Sequence, residues 1–261
     1  MYKAHYTPPA SYGVLRLMGK YKTFVLVPPL LFGLATLFVV QRLSAQEQTA
    51  STTSLTKRPK KNIDITKFPI ADYSNTGPTD AKRKERGKKR DNSKWAVHPD
   101  AVSDSNVVVD TVDPNLPGLP VEKAAGVITG VVSDAKAYLS NDKSGVYSSF
   151  SVIIEDVLKN PGRLAAGQTI EIEREGGRVR FPSGRLHLYV VAEQDMPQTG
   201  NRYVFFLAKT EEDSVFEVIT GYEIRVDGIY SLDDLPQTRS YDGTSAATFL
   251  QELRKQLTDA K

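Results

Sequence analysis

The sequence predicts an all-β protein: a small antiparallel barrel or sandwich closed by a C-terminal helix, preceded by one transmembrane helix and a disordered stem. Three observations carry this. Residues 23–40, TFVLVPPLLFGLATLFVV, hold no charged side chain. Residues 41–122 are polar, basic and punctuated by proline. From residue 123 onward, β-branched and aromatic residues alternate with polar ones between turn-forming stretches, the period of strands with one buried face.

A short N-terminal segment, residues 1–22, precedes the apolar run. As a helix the run covers about 27 Å, close to the hydrocarbon core of a bilayer. A soluble core helix of that length would show a polar face, and this run shows none. Pro28-Pro29 is tolerable in a membrane segment. A cleaved signal has a shorter apolar region and a small-x-small site. Leu43-Ser44-Ala45 instead puts Leu where a small residue is preferred. A retained, single-pass signal anchor is therefore favoured over a cleaved one. Lys20 and Lys22 abut the run, while most basic residues after it lie well beyond the membrane edge. That tips the expected orientation to a cytoplasmic N-terminus with the β domain extracytoplasmic.

The net charge of +3 conceals a segregation. Residues 41–94 carry 14 Lys/Arg against 6 Asp/Glu, whereas residues 95–261 carry 16 against 25. A basic stem thus feeds an acidic domain. Within the stem, KRKERGKKR has seven cationic residues in nine. Lys82, Arg83, Lys84, Arg86, Lys88, Lys89 and Arg90 are the candidates for contact with an anionic surface or polymer; a solvated, self-repelling spacer is the competing reading. Nucleic acid is disfavoured as a partner, because no aromatic is interleaved for stacking and the domain beyond is acidic. Val107-Val108-Val109 is the one stretch of the stem read as a strand that could dock on the domain.

The β-rich domain is expected over residues 123–235. AGVITGVVSDAKAYL and VYSSFSVIIEDVL read as strands around the turn NDKSG. In TIEIEREGGRVRFPSGRLHLYVV, Gly176-Gly177 is read as a two-residue hairpin loop and Ser183-Gly184 as a second. That register sets Glu175 opposite Arg178, Glu173 opposite Arg180 and Arg180 opposite His187. It collects Glu171, Glu173, Glu175, Arg178, Arg180, Arg185 and His187 on one charged face. A three-residue loop at Pro182-Ser183-Gly184 is the alternative and would shift the last strand by one. Arg178, Arg180, Arg185 and His187 are the candidate ligand-binding strip, although the facing glutamates would largely neutralise it. RYVFFLA is apolar on both faces and reads as a buried strand. Residues 236–261 should supply a helix packed on the β domain, with a Phe249, Leu250, Leu253, Leu257 stripe and Ser245 or Thr244 as N-cap. A meander of this kind, OB-like in outline, closes most readily as a barrel or sandwich.

Chemistry is sparse. The chain contains no cysteine, which removes disulfides, thiolate metal sites and Cys nucleophiles. His5, His98 and His187 are its only histidines and are widely separated, so no catalytic, metal or cofactor site is expected. Ser140-Asn141-Asp142-Lys143 spells S-x-x-K, but in a turn rather than on the helix that motif requires.

GVVSDAKAYLSNDKSGVYSSFSVIIEDVLKN, AGQTIEIEREGGRVRFPSGR, GNRYVFFL and ITGYEI together resemble a group of bacterial exported or membrane-anchored small β-barrel proteins with no known activity. The likeness covers about residues 125–230. It implies a small β-barrel and an envelope location, and it transfers no site residues. The expected function is a membrane-anchored, non-enzymatic β domain for protein–protein interaction, its partners being the bilayer and an envelope protein. One alternative is an OB-like barrel binding oligosaccharide or nucleic acid through exposed Tyr138, Tyr147 or Tyr189. Another is an enzyme with convergent carboxylates in a pocket.

Overall fold

The computed structural model describes residues 64–75, 77, 80–93, 107–160, 162, 164–212 and 214–260, all within the unit spanning residues 56–261. The apolar run at 23–40 lies outside the described residues. Among those described, no helix is long and apolar enough to cross a membrane.

A 3-10 turn at Ile65–Lys67 leads into β1 (Ile70–Asp72), α1 (Ala81–Lys88) and β2 (Val107–Thr111). Then follow β3 (Gly126–Leu139), β4 (Val146–Lys159), β5 (Thr169–Glu175), β6 (Gly177–Arg180), β7 (Leu186–Ala192), β8 (Arg202–Lys209), β9 (Val215–Arg225) and β10 (Gly228–Ser231). A short helix α2 (Pro236–Arg239) and the terminal helix α3 (Ala246–Asp259) close the chain. The protein is therefore mostly β, its sheets largely antiparallel, with the expected C-terminal helix.

The larger sheet runs β10-β9-β5-β4-β3-β8, and β8 also pairs with β9. The pairings β3-β4-β5-β9-β8-β3 consequently form a ring, antiparallel except for β5 beside β9. The two longest strands can take part because β3 shifts register against β4 at Val127/Ile128, Thr129/Gly130 and Val132/Asp134. Such bulges bend a strand and increase its twist. Gly130 sits at one of them, where an added Cβ would fall 2.6 Å from the Ile153 carbonyl oxygen. Phe150, Ile172, Phe205, Ile128 and Val152 fill the core on one side of the ring, each essentially without exposure. β8 is apolar on both faces, as its sequence implies. Tyr203, Phe205 and Leu207 enter that core, while Val204 and Phe206 face a second one with Phe249 and Leu253 of α3. The Ser245 hydroxyl caps α3 by accepting the Thr248 N–H at 3.2 Å.

The smaller sheet, β1-β6-β7-β2, corrects two expectations. Gly176-Gly177 is not a hairpin loop. Both glycines have positive φ, 95° and 147°, and they carry the chain out of the larger sheet into the smaller one. β5 already pairs with β4 and β9, so β6 turns to β1 and β7 instead. At the other end the chain takes the three-residue alternative, with Phe181 N–H bonded to Arg185 O across Pro182-Ser183-Gly184. Val179, rather than Arg180, then lies opposite His187.

That one-residue shift reverses which side chains are buried. His187 is 2% exposed, edge-on to Phe181 with ring centroids 4.9 Å apart, and neither ring nitrogen has a hydrogen-bond partner. Leu186, expected in the core, is 41% exposed. A buried polar group without a partner costs about 1–3 kcal/mol. His187→Leu, similar in volume, is therefore expected to raise stability by up to that amount in thermal or urea unfolding. A loss of stability would overturn the view of the ring as an unpaired core group.

The stem expectation also needs correction for residues 64–75, 80–93 and 107–122. β1 adds to β6 in parallel, from Ile70↔Arg178 to Asp72↔Arg180, and β2 adds to β7. Phe68, Ala71, Leu116, Leu119 and Val121 are buried. The Tyr222 hydroxyl donates to Gly118 O, fixing the proline-rich turn that follows β2. The elements in this stretch are short or wholly polar, so they lack the sustained periodicity by which a sequence announces structure.

Candidate functional site

β5 places Glu171, Glu173 and Glu175 at alternate positions and hence on one face. Glu217 of β9 lies beside Glu173 in the parallel register, and Glu212 comes from the turn before β9. Tyr138, Tyr147 and Glu175 form a row across β3, β4 and β5. The face is thus acidic, with two tyrosines at one side.

α1 lies on this face. Asp80 caps its start, its carboxylate accepting the Lys82 and Arg83 N–H groups at 3.3 Å. Arg83, Arg86 and Arg90 are three and four residues apart, the spacing that lines up one side of a helix. Arg86 Nη1 pairs with Glu171 and, at 3.2 Å, with Glu173, while its Nε lies 3.3 Å from Glu212. Arg90 reaches Glu175 at 2.6 Å, Glu173 at 3.2 Å and Glu217 at 3.9 Å. Arg83 lies 3.5 Å from Glu171 and its guanidinium stands 3.7 Å above the Tyr138 ring; Arg90 covers Tyr147 in the same way at 4.2 Å. Side-chain exposure is only 9% for Arg86, 7% for Arg90 and 2% for Glu173. Burial by itself would lower the pKa of both arginines, but the surrounding carboxylates reverse this and hold them above the ordinary value.

The β3–β4 turn grips the helix from its C-terminal side. Asn141 donates to Lys84 O at 2.8 Å, and a Cβ on Gly87 would fall 2.6 Å from Asn141 Oδ1. Asp142 accepts the Asn92 N–H at 2.7 Å, the Ser144 N–H at 2.9 Å and the Ser140 and Ser144 hydroxyls at 2.7 Å. Slight desolvation disfavours its charge, yet these donors outweigh it and hold the carboxyl well below the usual range. The S-x-x-K letters therefore mark a helix clamp.

Of the seven cationic candidates for an anionic surface, Arg83, Arg86 and Arg90 are spent within the domain, and Lys82 and Lys89 lie 3.6 and 3.5 Å from Glu212 and Glu211. Lys84 and Lys88 are exposed. Nor does the ligand strip assemble. Arg178 and Arg180 share a face of β6, Arg178 being engaged with Phe68 O at 2.8 Å, and Arg185 is exposed at the turn. His187 is buried on the opposite face. Sequence reasoning paired Glu173 and Glu175 with the nearest arginines, Arg180 and Arg178. Their real partners lie about 85 residues upstream. The available signal was a matched pair of periods: arginines spaced for one helix face and glutamates spaced for one strand face.

A cleft of about 540 Å³ opens beside the α1 contact, lined in part by Arg90, Glu173, Arg174, Glu175, Tyr189 and Glu217. All three of these carboxylates are within ion-pair distance of Arg90, and burial pushes the Tyr189 phenol up to about 12. Among the described residues, no group of His, Asp and Glu is arranged to hold a metal ion. Deeper, Arg174 pairs with Asp233 at 2.7 Å and donates to Asp195 O, with 1% and 0% of the two side chains exposed. No protein-family model matches this chain, and comparison with curated proteins finds no match.

Proposed function

We propose that the β domain is a non-enzymatic protein-interaction module, held at a membrane by residues 23–40 on the extracytoplasmic side of a cell envelope. We read its ring of strands as an OB-like barrel. The observation that carries the interaction reading is the occupied face: five carboxylates hold a helix from a distant part of the same chain by charge and hydrogen bonds. A surface that seats one basic helix in this way has the chemistry to engage protein. The oligosaccharide or nucleic-acid reading needs tyrosines exposed together, and Tyr147 and Tyr189 are 0% and 2% exposed. An acidic face also repels phosphate. The enzyme reading needs a free acid or base, and the carboxylates converging on the cleft are engaged by a guanidinium.

Two arms test the proposal in cells. A C-terminal reporter active only outside the cytoplasm should be active and should stay with membranes through an alkaline wash; a silent reporter or a soluble product overturns the location. A photo-crosslinking residue at Glu211, whose side chain is 86% exposed beside α1, should give a discrete protein adduct. The same residue at exposed Val226 serves as control. Absence of any adduct at Glu211, or an identical pattern at both positions, overturns the interaction.

A further inference from the structure

We propose that the acidic face is a receptor for a second arginine-bearing basic helix, supplied by a partner protein, which enters by displacing α1. This rests on the interaction reading above and names the chemistry of its partner.

The first support is the composition of α1. AKRKERGK contains no large apolar residue, and its one alanine is exposed. An eight-residue helix is not stable alone, so α1 persists through its pairing with the sheet and the polar grip of the β3–β4 turn. Paired buried charges gain little net free energy, since desolvation offsets most of the attraction. A competing helix with the same charges therefore meets a small barrier in free energy, whereas an apolar contact would have to be replaced in kind.

The second support is what the resident helix leaves undone. Tyr147 is fully buried beneath it, and its hydroxyl has no hydrogen-bond partner. Arg83 Nη1 is likewise buried without one. Glu175 and Glu217 keep 52% and 53% of their side chains exposed despite Arg90. The face presents five carboxylates to three arginines and Lys82, so a better-matched helix has groups left to satisfy.

The geometry also specifies the ligand. Arginines are required at relative positions 0, 3 and 7, as at Arg83, Arg86 and Arg90. A residue without a bulky side chain is required at position 4, where Gly87 meets Asn141. The outward positions of Lys84 and Lys88 are free to vary.

The test uses full-length protein in zwitterionic nanodiscs and a fluorescent peptide of residues 79–93, read by anisotropy. Arg86→Gln with Arg90→Gln weakens the resident helix and leaves the receptor glutamates intact. This variant is expected to bind the peptide about tenfold or more tightly than the unsubstituted protein, in which α1 occupies the face most of the time. Binding should weaken with added salt and vanish for a peptide carrying the same two glutamines. Gly87→Leu, which pushes α1 away without removing a charge, should give the same gain and guards against misfolding of the first variant. Equal binding by all proteins, or equal binding of the glutamine peptide, overturns the proposal. So does release of α1 by anionic vesicles with no response to peptide, which would make lipid the competitor. If the Glu211 crosslinks persist while peptide binding fails, only this inference falls; if both fail, the interaction reading falls with it.

Discussion

Asp233→Asn is expected to destabilise the domain by about 3–5 kcal/mol, the cost of leaving a buried guanidinium without its counter-ion. In a domain of this size that lowers the melting temperature by roughly 10 °C or more. Arg174 projects from β5 to Asp233, in the connection after β10, and also donates to Asp195 O. One pair thus ties the larger sheet to two loops. It is not perfectly satisfied, since Arg174 Nε and Asp233 Oδ2 have no hydrogen-bond partner. The double replacement Arg174→Met with Asp233→Leu should therefore recover most of the loss, because it removes the charges and the orphaned atoms together. A thermodynamic cycle over the two single variants and the double checks this. Single variants costing under about 1 kcal/mol, or a double variant no better than either single, would show that the charges are not the source of the stability.

That pair also illustrates what the sequence made legible. Strands and helices that bury an apolar face could be read directly: RYVFFLA as a doubly buried strand, and the Phe249–Leu253 stripe of α3 with Ser245 at its cap; VYSSFSVII was legible as a strand, though Tyr147 and Ser149, on the face read as open, are buried. Their patterns are local, and the hydrophobic effect enforces them wherever the chain goes. Charged residues carry no such local instruction. Arg174 alternates with Glu173 and Glu175 and so falls on the inward face, but nothing near it in the sequence marks its partner, which lies 59 residues away. The hairpin reading failed because strand partners, too, are set at long range. Two adjacent glycines suggested a hairpin loop, and the charge pairings followed from that register, while β5 in fact pairs with β4 and β9 and the partners of Glu173 and Glu175 come from α1. A one-residue difference at Pro182-Ser183-Gly184 then exchanged the environments of Leu186 and His187. Long-range ion pairing leaves only a faint mark in a single sequence, a matching of spacings that becomes meaningful once the two segments are known to meet.

Glu173→Gln should release α1 while leaving the two sheets folded. The carboxylate is 2% exposed and lies 3.2 Å from both Arg86 and Arg90, so it is the one group shared by the two principal arginines. Gln keeps its shape and removes its charge, and leaving two buried guanidinium groups short of a counter-charge costs about 3 kcal/mol. Amide protection across residues 84–90 should accordingly fall on the order of a hundredfold in hydrogen exchange. Core amides of β5 and β8, such as Ile172 and Phe205, should hold their protection, since their cores are apolar and independent of α1. Acid should act in the same direction through the clamp at the helix end. Asp142 has a folded pKa below its ordinary value of about 3.9. Its contribution is therefore complete above that value and is lost as pH falls toward the folded pKa. Release of residues 91–93 in the unsubstituted protein is thus expected only below about pH 4, and Asp142→Asn should bring it into the neutral range. If α1 and the core of the larger sheet lose protection together in Glu173→Gln, the helix is an integral part of one cooperative unit rather than a segment the acidic face can let go.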